Sequence, residues 1–398
     1  MKKTIKDINI KNKKVIVRVD FNVPLDENLN ITDDTRIKES IQTIKYLLQE
    51  NAKIILMSHL GRPKGKIEPK YSLKPVAKRL SELLGIQVKM APGCVDPETK
   101  KMASELKNGE ILLLENLRFN SGEEKNDDKF AKELSSLGDV FVQDAFGTVH
   151  RAHASTEGIV KFIKESVCGF LLEKEITYFD KVLKSPEKPF IAILGGVKVS
   201  DKIGVIENLL DKVNALIIGG AMAYTFLKAK GIRTGASLIE QDKIDVAKDT
   251  MKKAYQKNIN LLLPIDHVIA TKVDKDAQVK EISTVDIPDG WMGVDIGNLT
   301  INRAKSIITA AKTIVWNGPM GVFEIDKFSN GTKKIAEFVS ETTQTKKAIS
   351  IVGGGDTVSA VKKANVSDKI SHISTGGGAS LELLEGKILP GIKVLPDK

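Results

Sequence analysis

The 398-residue sequence has few of the residues and patterns that define several common classes of protein. It contains two cysteines, Cys94 and Cys168, and no CxxC pair, which argues against a disulfide framework or a thiolate metal site. No uninterrupted apolar run approaches the ~20 residues that a membrane-spanning helix needs, and the first ten residues lack the apolar core of a signal peptide. We therefore expect a cytoplasmic protein in which both cysteines are small buried residues.

Aromatic residues and arginine are also scarce. Aromatics make up 5% of the chain, too few for a base-stacking platform, and the lysines are spread along helical faces rather than grouped in blocks. The formal net charge of +10 therefore favours a small, highly charged substrate over nucleic acid. Only 8 of the 61 basic residues are arginine. We therefore expect these eight arginines to lie where a planar guanidinium group is needed and lysine would not serve.

Short apolar runs alternate with helical segments along the chain, a rhythm typical of parallel βαβ units. A long, charged amphipathic helix interrupts this rhythm at 171–184, and the chain is too long for one compact core. The sequence thus predicts an α/β protein of two doubly wound, parallel-sheet (Rossmann-like) domains, residues 1–170 and 190–388, joined by a hinge helix and connector at 171–189. The predicted strands are 15–20, 54–58, 87–91, 111–116, 140–145, 190–196, 215–220, 260–270, 313–318, 348–355 and 372–378.

Charged residues follow the predicted strands of the first half, at the edge where ligands bind in open α/β sheets. Four of the eight arginines lie at such loop or helix-start positions, which suits bidentate binding of a small polyanion such as a phosphorylated acid. Scattered surface salt bridges are the alternative. The residues are Asp20, Asn22, Arg36, His59, Arg62, Arg118, His150, Arg151 and His153. For His150 and His153, capping of a turn is the alternative.

Glycine, not arginine, follows the predicted strands of the second half. Glycine-rich turns that open helices present free N–H groups to phosphate, and Lys198 and Lys202 add ammonium groups beside one of them. No GxxxxGK[ST] or GxGxxG motif is present. Asp356 follows three glycines, and its carboxylate is a candidate ligand for Mg²⁺. A role as the N-cap of a helix would account for an aspartate at this position almost equally well. Glu324 either accepts ribose hydroxyl groups or is a solvated helix residue.

The sequences of these motifs and their order along the chain closely resemble those of the phosphoglycerate kinase family, through essentially the whole chain. The matching segments are KVIVRVDFNVP (14–24), SHLGRP, ENLRF, GTVHRAHAST, LGGVKVSDKI, DIPDGWMGVDIG, WNGPMGVFE, GGGDT and STGGGASLELLEG. Val197, Ala221 and Asn298 depart from the family's common residues, and the first two put nucleotide affinity in doubt. The resemblance implies reversible phosphoryl transfer between 1,3-bisphosphoglycerate and ADP, giving 3-phosphoglycerate and ATP, with Mg²⁺ on the nucleotide.

The resemblance also assigns roles to residues of this chain. Those expected to bind phosphoglycerate are Asp20, Phe21, Asn22, Arg36, His59, Leu60, Gly61, Arg62, Arg118 and Arg151. Those expected to bind the nucleotide are Gly195, Lys198, Lys202, Gly219, Gly293, Asn317, Glu324, Gly353, Gly354, Gly355, Asp356 and Thr357, with Asp356 serving the metal. The catalytic residues would be Arg36, Lys198, Lys202, Gly354 and Gly377.

The chemistry agrees with the residues, because a carboxylate that attacks a phosphoryl group is already ionised at neutral pH and needs no general base. Two alternatives stay open: a non-enzymatic binder of phosphorylated ligands or nucleic acid, and a kinase with a different acceptor. We expect a monomer that requires neither nucleic acid nor membrane and that transfers the phosphoryl group directly after hinge closure. The tail 389–398 should pack back on the first domain as an extended segment, because Pro390, Gly391 and Pro396 disfavour a helix.

Overall fold

The computed structural model describes all 398 residues and divides into two compact units. Unit 1 comprises Met1–Thr177 and Ile388–Lys398, and unit 2 comprises Tyr178–Lys387. The division falls within a long helix, and each unit has its own hydrophobic core. The predicted fold class, two doubly wound α/β sheets in sequence, is confirmed.

Unit 1 is built on a six-stranded sheet in which every pairing is parallel. Its strands are β1 (Lys14–Arg18), β2 (Lys53–Met57), β3 (Val88–Met90), β4 (Ile111–Leu113), β5 (Val140–Gln143) and β6 (Glu165–Cys168), in the order β3-β4-β2-β1-β5-β6. Its helices are α1 (Thr35–Gln49), α2 (Lys74–Leu84), α3 (Pro97–Ser104), α4 (Asp128–Ser135) and α5 (Phe170–Lys184), the last of which continues into unit 2. Most residues of these strands are apolar because helices cover both faces of such a sheet.

The start of α5 is held by a buried carboxylate that follows β5. Asp144 Oδ1 accepts hydrogen bonds from the backbone N–H groups of Leu171 and Leu172 at 2.9 and 3.2 Å. Burial raises the pKa of this carboxyl from 3.8 to about 7, against the opposing effect of the Thr43 hydroxyl and these two N–H groups. The sequence contains no local signal for this contact, because the carboxylate lies on a different element from the helix it caps.

Unit 2 contains a second six-stranded parallel sheet and a small antiparallel one. The parallel strands are β7 (Phe190–Leu194), β8 (Ala215–Ile218), β9 (Asn260–Leu262), β13 (Thr313–Asn317), β14 (Ile349–Gly353) and β15 (His372–Ile373), in the order β15-β14-β13-β7-β8-β9. The antiparallel strands are β10 (His267–Ala270), β11 (Val279–Ile282) and β12 (Met292–Ile296). The helices are α6 (Ile203–Leu209), α7 (Met222–Ala229), α8 (Ile244–Gln256), α9 (Asn298–Ile308), α10 (Asn330–Lys346), α11 (Gly355–Lys363) and α12 (Gly377–Leu384).

Three local predictions are wrong. The apolar stretch 260–270 is not one strand, since Pro264 lies between β9 and β10, which belong to different sheets. The sequence pattern also missed β6 and two strands of the antiparallel sheet, β11 and β12. The tail is not simply extended, because Pro390–Lys393 forms a short helix, α13, in which Pro390 occupies the first turn, where the missing N–H costs nothing.

The two ends of the chain are paired within unit 1. The backbone N–H of Lys398 donates to the carbonyl of Met1 at 2.8 Å, and the N–H of Lys3 donates to Pro396 at 3.0 Å. Both cysteines are buried, as expected, and burial raises the pKa of each thiol. None of the α-helices combines the length and hydropathy that crossing a bilayer requires.

Candidate functional site

One edge of the unit 1 sheet collects the charged residues singled out in the sequence. They lie in the loops after β1, β2, β4 and β5, because the carboxyl ends of parallel strands meet at the same edge. Arg36 joins them from the first turn of α1. The members of this arginine cluster, including one that the sequence analysis did not select, are Arg18, Arg36, Arg62, Arg118 and Arg151.

His59 lies buried at the centre of this cluster. Burial and the charges of Arg18, Arg118, Arg36 and Arg151 hold the pKa of His59 well below its usual range. Nη2 of Arg18 lies 3.3 Å from His59 Nδ1, and a guanidinium can only donate, so Nδ1 is the acceptor. The neutral ring therefore carries its proton on Nε2 and offers a single hydrogen-bond donor to a ligand.

Arg18 is the residue that sequence reasoning missed. It is 1% exposed, and its Nε donates to Ser155 Oγ at 2.8 Å, while Ser155 Oγ donates to Glu123 Oε1 at 2.6 Å. Burial lowers the pKa of Arg18 and raises that of Glu123, but each charge favours ionisation of the other. A single arginine inside the apolar run VIVRV was the available signal, since a buried guanidinium needs a specific counter-charge.

The other arginines carry more positive charge than their partners neutralise. Arg36 forms an ion pair with Asp20, and Arg118, 4% exposed, lies 3.3 Å through Nε from a Glu124 carboxylate oxygen. Arg62 and Arg151 have no carboxylate partner; Arg151 Nε instead donates to His150 Nε2 at 3.1 Å. Scattered surface salt bridges do not describe this arrangement, which is able to bind a polyanion.

The other residues expected to bind phosphoglycerate lie in the loops after β1 and β2 and fix the backbone conformation of these loops. Phe21 and Leu60 are buried, and the N–H of Phe21 donates to Ser58 Oγ at 2.8 Å. Asn22 Oδ1 accepts from the N–H of Gly61 at 2.9 Å. The loops after β1 and β2 are therefore joined directly. His153 is buried, and burial with the nearby arginines lowers its pKa to about 4.

In unit 2 the glycine-rich turns follow five strands that are neighbours in the sheet, β15, β14, β13, β7 and β8. The turns pack against each other at backbone distance. The N–H of Gly195 donates to Asn317 O at 3.0 Å, and that of Gly219 donates to Leu194 O at 2.9 Å. A Cβ atom on Gly195 would overlap the carbonyl oxygen of Pro319, so only glycine allows this approach.

Lys202 and Asn317 form the polar centre of these turns. Lys202 Nζ donates to Asn317 Oδ1, and Asn317 Nδ2 is buried without a hydrogen-bond partner. Burial lowers the pKa of Lys202 to about 8, against the opposing effect of Asp201, Asp356 and Glu385. The centre thus holds an ammonium group whose burial is unfavourable and an N–H donor without an acceptor. An anionic oxygen bound here would neutralise the first and accept a hydrogen bond from the second.

The turn after β14 places a carboxylate beside this centre. Gly354, and not Asp356, is the N-cap of α11, and Asp356 lies in the first turn. The helix-cap interpretation of Asp356 is therefore wrong. Thr357 is buried, and its Oγ1 accepts from the N–H of Gly318 at 2.7 Å, which joins the turns after β13 and β14.

The other expected nucleotide residues lie around these turns. Lys198 is exposed in the loop before α6, and Gly377 is the first residue of α12. Glu324 is exposed in a turn after β13 and is not a helix residue, so that alternative is wrong. The N–H of Val322 donates to Val294 O at 2.9 Å, which places the Glu324 turn beside β12, the strand that carries Gly293.

Comparisons with known proteins agree over nearly the whole chain. The family model described as phosphoglycerate kinase matches residues 5–387. A cytosolic phosphoglycerate kinase of Nicotiana tabacum is 56% identical over 394 residues, which cover 99% of this chain and 98% of the relative. A phosphoglycerate kinase of Borrelia hermsii is 55% identical over 393 residues, with 99% of each chain covered.

Solved structures give the same result. The phosphoglycerate kinase of Coxiella burnetii superposes with a TM-score of 0.89 at 43% identity, covering 99% of this chain and 98% of the other. That of Pyrococcus horikoshii gives a TM-score of 0.85 at 32% identity, covering 98% of both chains. With two parallel sheets, an arginine-lined edge in one unit and glycine turns in the other, the chain belongs to the phosphoglycerate kinase family.

Proposed function

We propose that the chain transfers a phosphoryl group reversibly from 1,3-bisphosphoglycerate to ADP, giving 3-phosphoglycerate and ATP. The observation that carries this proposal is the presence of two anion sites of different chemistry. The arginine cluster of unit 1 suits a small phosphorylated acid, and the glycine turns of unit 2, with Lys202 and Asn317, suit a chain of phosphates.

In unit 1, we propose that the arginines bind the phosphate and carboxylate of phosphoglycerate and that neutral His59 donates one hydrogen bond through Nε2. Its strongly lowered pKa keeps this group a donor rather than a proton acceptor across neutral pH. No base is needed, because the attacking carboxylate is ionised at neutral pH. Asp20 orients Arg36 through their ion pair, leaving the guanidinium's other N–H groups for substrate.

In unit 2, we propose that Lys202, Lys198 and the N–H groups of the turns at 353–355 and 376–378 stabilise negative charge on the transferring phosphoryl group. Charge on such a group is spread over three oxygens, and several donors aimed at them act together. Removal of one such donor from a dry site typically costs ~3–4 kcal/mol, or ~10²–10³ in rate.

We further propose that the nucleotide binds as its Mg²⁺ complex. Asp356 is an exposed carboxylate beside Lys202, with no further His, Cys, Asp or Glu grouped to complete a metal site. One carboxylate fits Mg²⁺, which usually takes one or two protein oxygens and leaves its other positions to water and phosphate. The ion would neutralise phosphate charge when bound.

The two sets of residues belong to one chain, so we propose a monomer that needs neither nucleic acid nor membrane. Direct transfer requires reacting atoms to approach to ~3–3.5 Å, and we propose that both ligands together drive a hinge closure involving α5 and the connector 185–189. A radius of gyration that decreases partly with each ligand alone and most with both would support closure, whereas a radius unchanged in all states would refute it. The name of the Nicotiana tabacum relative, a cytosolic enzyme, supports a cytosolic location.

The test is a coupled assay of the purified chain with ATP, Mg²⁺ and a panel of carboxylate acceptors. We expect turnover with 3-phosphoglycerate that exceeds turnover with every other acceptor. Preference for another acid would indicate a different kinase. Salt-sensitive binding of RNA or DNA with no ATP-dependent turnover would instead favour a binding protein.

A further inference from the structure

The side chain of Asn116 uses all of its hydrogen-bonding capacity on the backbone of the proposed phosphoglycerate site. Its Nδ2 donates to the carbonyls of Leu60 at 2.7 Å and Tyr71 at 2.9 Å. Its Oδ1 accepts from the N–H groups of Leu60 at 3.2 Å and Arg118 at 3.0 Å. The residue is fully buried, so none of these bonds is exchanged with water.

These four bonds join two loops that carry expected ligand groups. Leu60 lies between His59 and Gly61, and a side chain that binds both its N–H and its C=O fixes the two peptide planes on either side of it. The bond to the N–H of Arg118 fixes the turn after β4 to the same point. Arg118 Nη1 then donates to Gly61 O at 2.8 Å, which closes the connection from the other side.

Gly61 shows that the β2 loop has little freedom to move. Its φ of +61° is in the left-handed region, and a Cβ atom there would overlap the ring of Tyr71. Tyr71 is itself held by Asn116 through its carbonyl. A loop packed this tightly stays in one place only while its buried backbone groups keep their partners.

The chemistry of this position requires a primary amide, and asparagine holds that amide closer to its own backbone than glutamine does. Two donors and two accepted bonds from one short planar group are available only from a primary amide, since aspartate lacks the donors and serine lacks the reach. Glu115 supports the backbone from behind, because its Oε1 accepts from the N–H groups of Asn116 at 2.7 Å and Leu73 at 2.9 Å.

We propose that Asn116 is a positioning residue for the acceptor substrate, holding His59 and Arg118 at the separation that phosphoglycerate requires without touching it. This inference rests on the proposed function. A shift of even ~1 Å in such groups can cost ~10²-fold in rate, so the contribution of Asn116 to catalysis should be much larger than that of an ordinary buried amide.

The test compares Asn116→Leu, which keeps the branched shape of the side chain, and Asn116→Ala with wild type, since neither adds charge to the arginine cluster. Ser81→Ala is the matched control. Ser81 also joins two backbone groups, Ala77 O at 2.8 Å and Val88 N–H at 3.0 Å, but at the opposite edge of the same sheet. Arg118→Ala is the reference for direct loss of substrate binding.

We expect both Asn116 variants to raise KM for 3-phosphoglycerate at least ~10-fold and to leave KM for Mg·ATP within ~2-fold of wild type. Ser81→Ala should lower Tm without changing either constant. An unchanged 3-phosphoglycerate KM in a folded Asn116 variant would overturn the inference if Arg118→Ala raises it. If Arg118→Ala also leaves it unchanged, the proposed substrate site itself is wrong.

Amide exchange on wild-type protein keeps the inference testable if the variants do not fold. The N–H groups of Leu60 and Arg118, both bonded to Asn116 Oδ1, should be strongly protected before any ligand is added. 3-Phosphoglycerate should add little protection at these two amides. Rapid exchange in the free protein, with protection appearing only on binding, would show that the substrate and not Asn116 orders the loops.

Discussion

Binding of Mg·ADP should make this protein take up a proton at Lys202. Burial holds the pKa of the Lys202 ammonium to about 8, whereas an exposed lysine has a pKa of ~10.4. The hydrogen-bond partner of Lys202 Nζ is the neutral side chain of Asn317, which does not compensate the positive charge. A phosphate chain in the adjacent turns would supply negative charge, favour the protonated form and raise the pKa toward the ordinary value.

The size of the effect follows from the titration of a single group. With a free-state pKa of about 8, half of the Lys202 side chains are protonated at pH 8 and ~10% at pH 9. If the bound pKa is ~10, binding takes up ~0.5 proton at pH 8, ~0.8 at pH 9 and almost none at pH 6.5. Binding takes up protons rather than releasing them because Lys202 has the higher pKa in the bound state. Affinity should therefore weaken as pH rises between the two pKa values.

Isothermal titration calorimetry measures this directly. The observed binding enthalpy of Mg·ADP is compared between buffers of different ionisation enthalpy at pH 6.5, 8 and 9, and the slope gives the protons taken up. Lys202→Met should abolish the uptake, while Lys198→Met, which removes an exposed lysine from the same loop, should retain it. A slope near zero for wild type at pH 8 and 9, or an undiminished slope in Lys202→Met, would refute the reasoning.

Three further predictions concern other charged groups. Arg36→Ala should lower kcat by two orders of magnitude or more with the fold intact, because the guanidinium is proposed to meet the transferring group; a normal kcat with only a raised KM would remove it from the chemistry. Asp356→Ala and Asp356→Asn should both raise the Mg·ATP concentration for half-maximal rate, since neither supplies the carboxylate; wild-type nucleotide kinetics in Asp356→Asn would contradict a metal role. The folded-state pKa of Asp144 is raised to about 7, so ionisation should destabilise the native protein as pH rises from ~4 to ~7. Asp144→Asn keeps the acceptor for α5 but cannot ionise, so its Tm relative to wild type should be higher at pH 8 than at pH 4.5, and equal differences at both pH values would contradict this.

The parts of the site that depend on strand ends were predictable from sequence. Arg118 and Arg151 could be placed at one edge because parallel strands end there, and glycine turns could be recognised by their composition. Fold class followed from the same alternation of strands and helices. These features are local or are imposed by general rules of sheet construction.

Features that depend on contacts between distant residues could not be predicted. Lys202 and Asn317 are 115 residues apart, and neither local pattern indicates their pairing. Arg18 was hidden by its position inside a strand, and the small antiparallel sheet by the exposed, polar pattern of β11. In each case the feature depends on contacts between residues far apart in the sequence, and the periodicity and spacing of a local segment do not indicate such contacts.

The pairing of the chain ends has a consequence for biosynthesis. Unit 1 includes both Met1 and Lys398, yet residues 178–387 must be translated between its two parts. At ~5–20 residues per second, this takes on the order of 10–40 s, during which the nascent first unit lacks its last helix and the partners of its first residues. Completion of unit 1 therefore waits until unit 2 has been translated, so the unit that is begun first is the last to be finished.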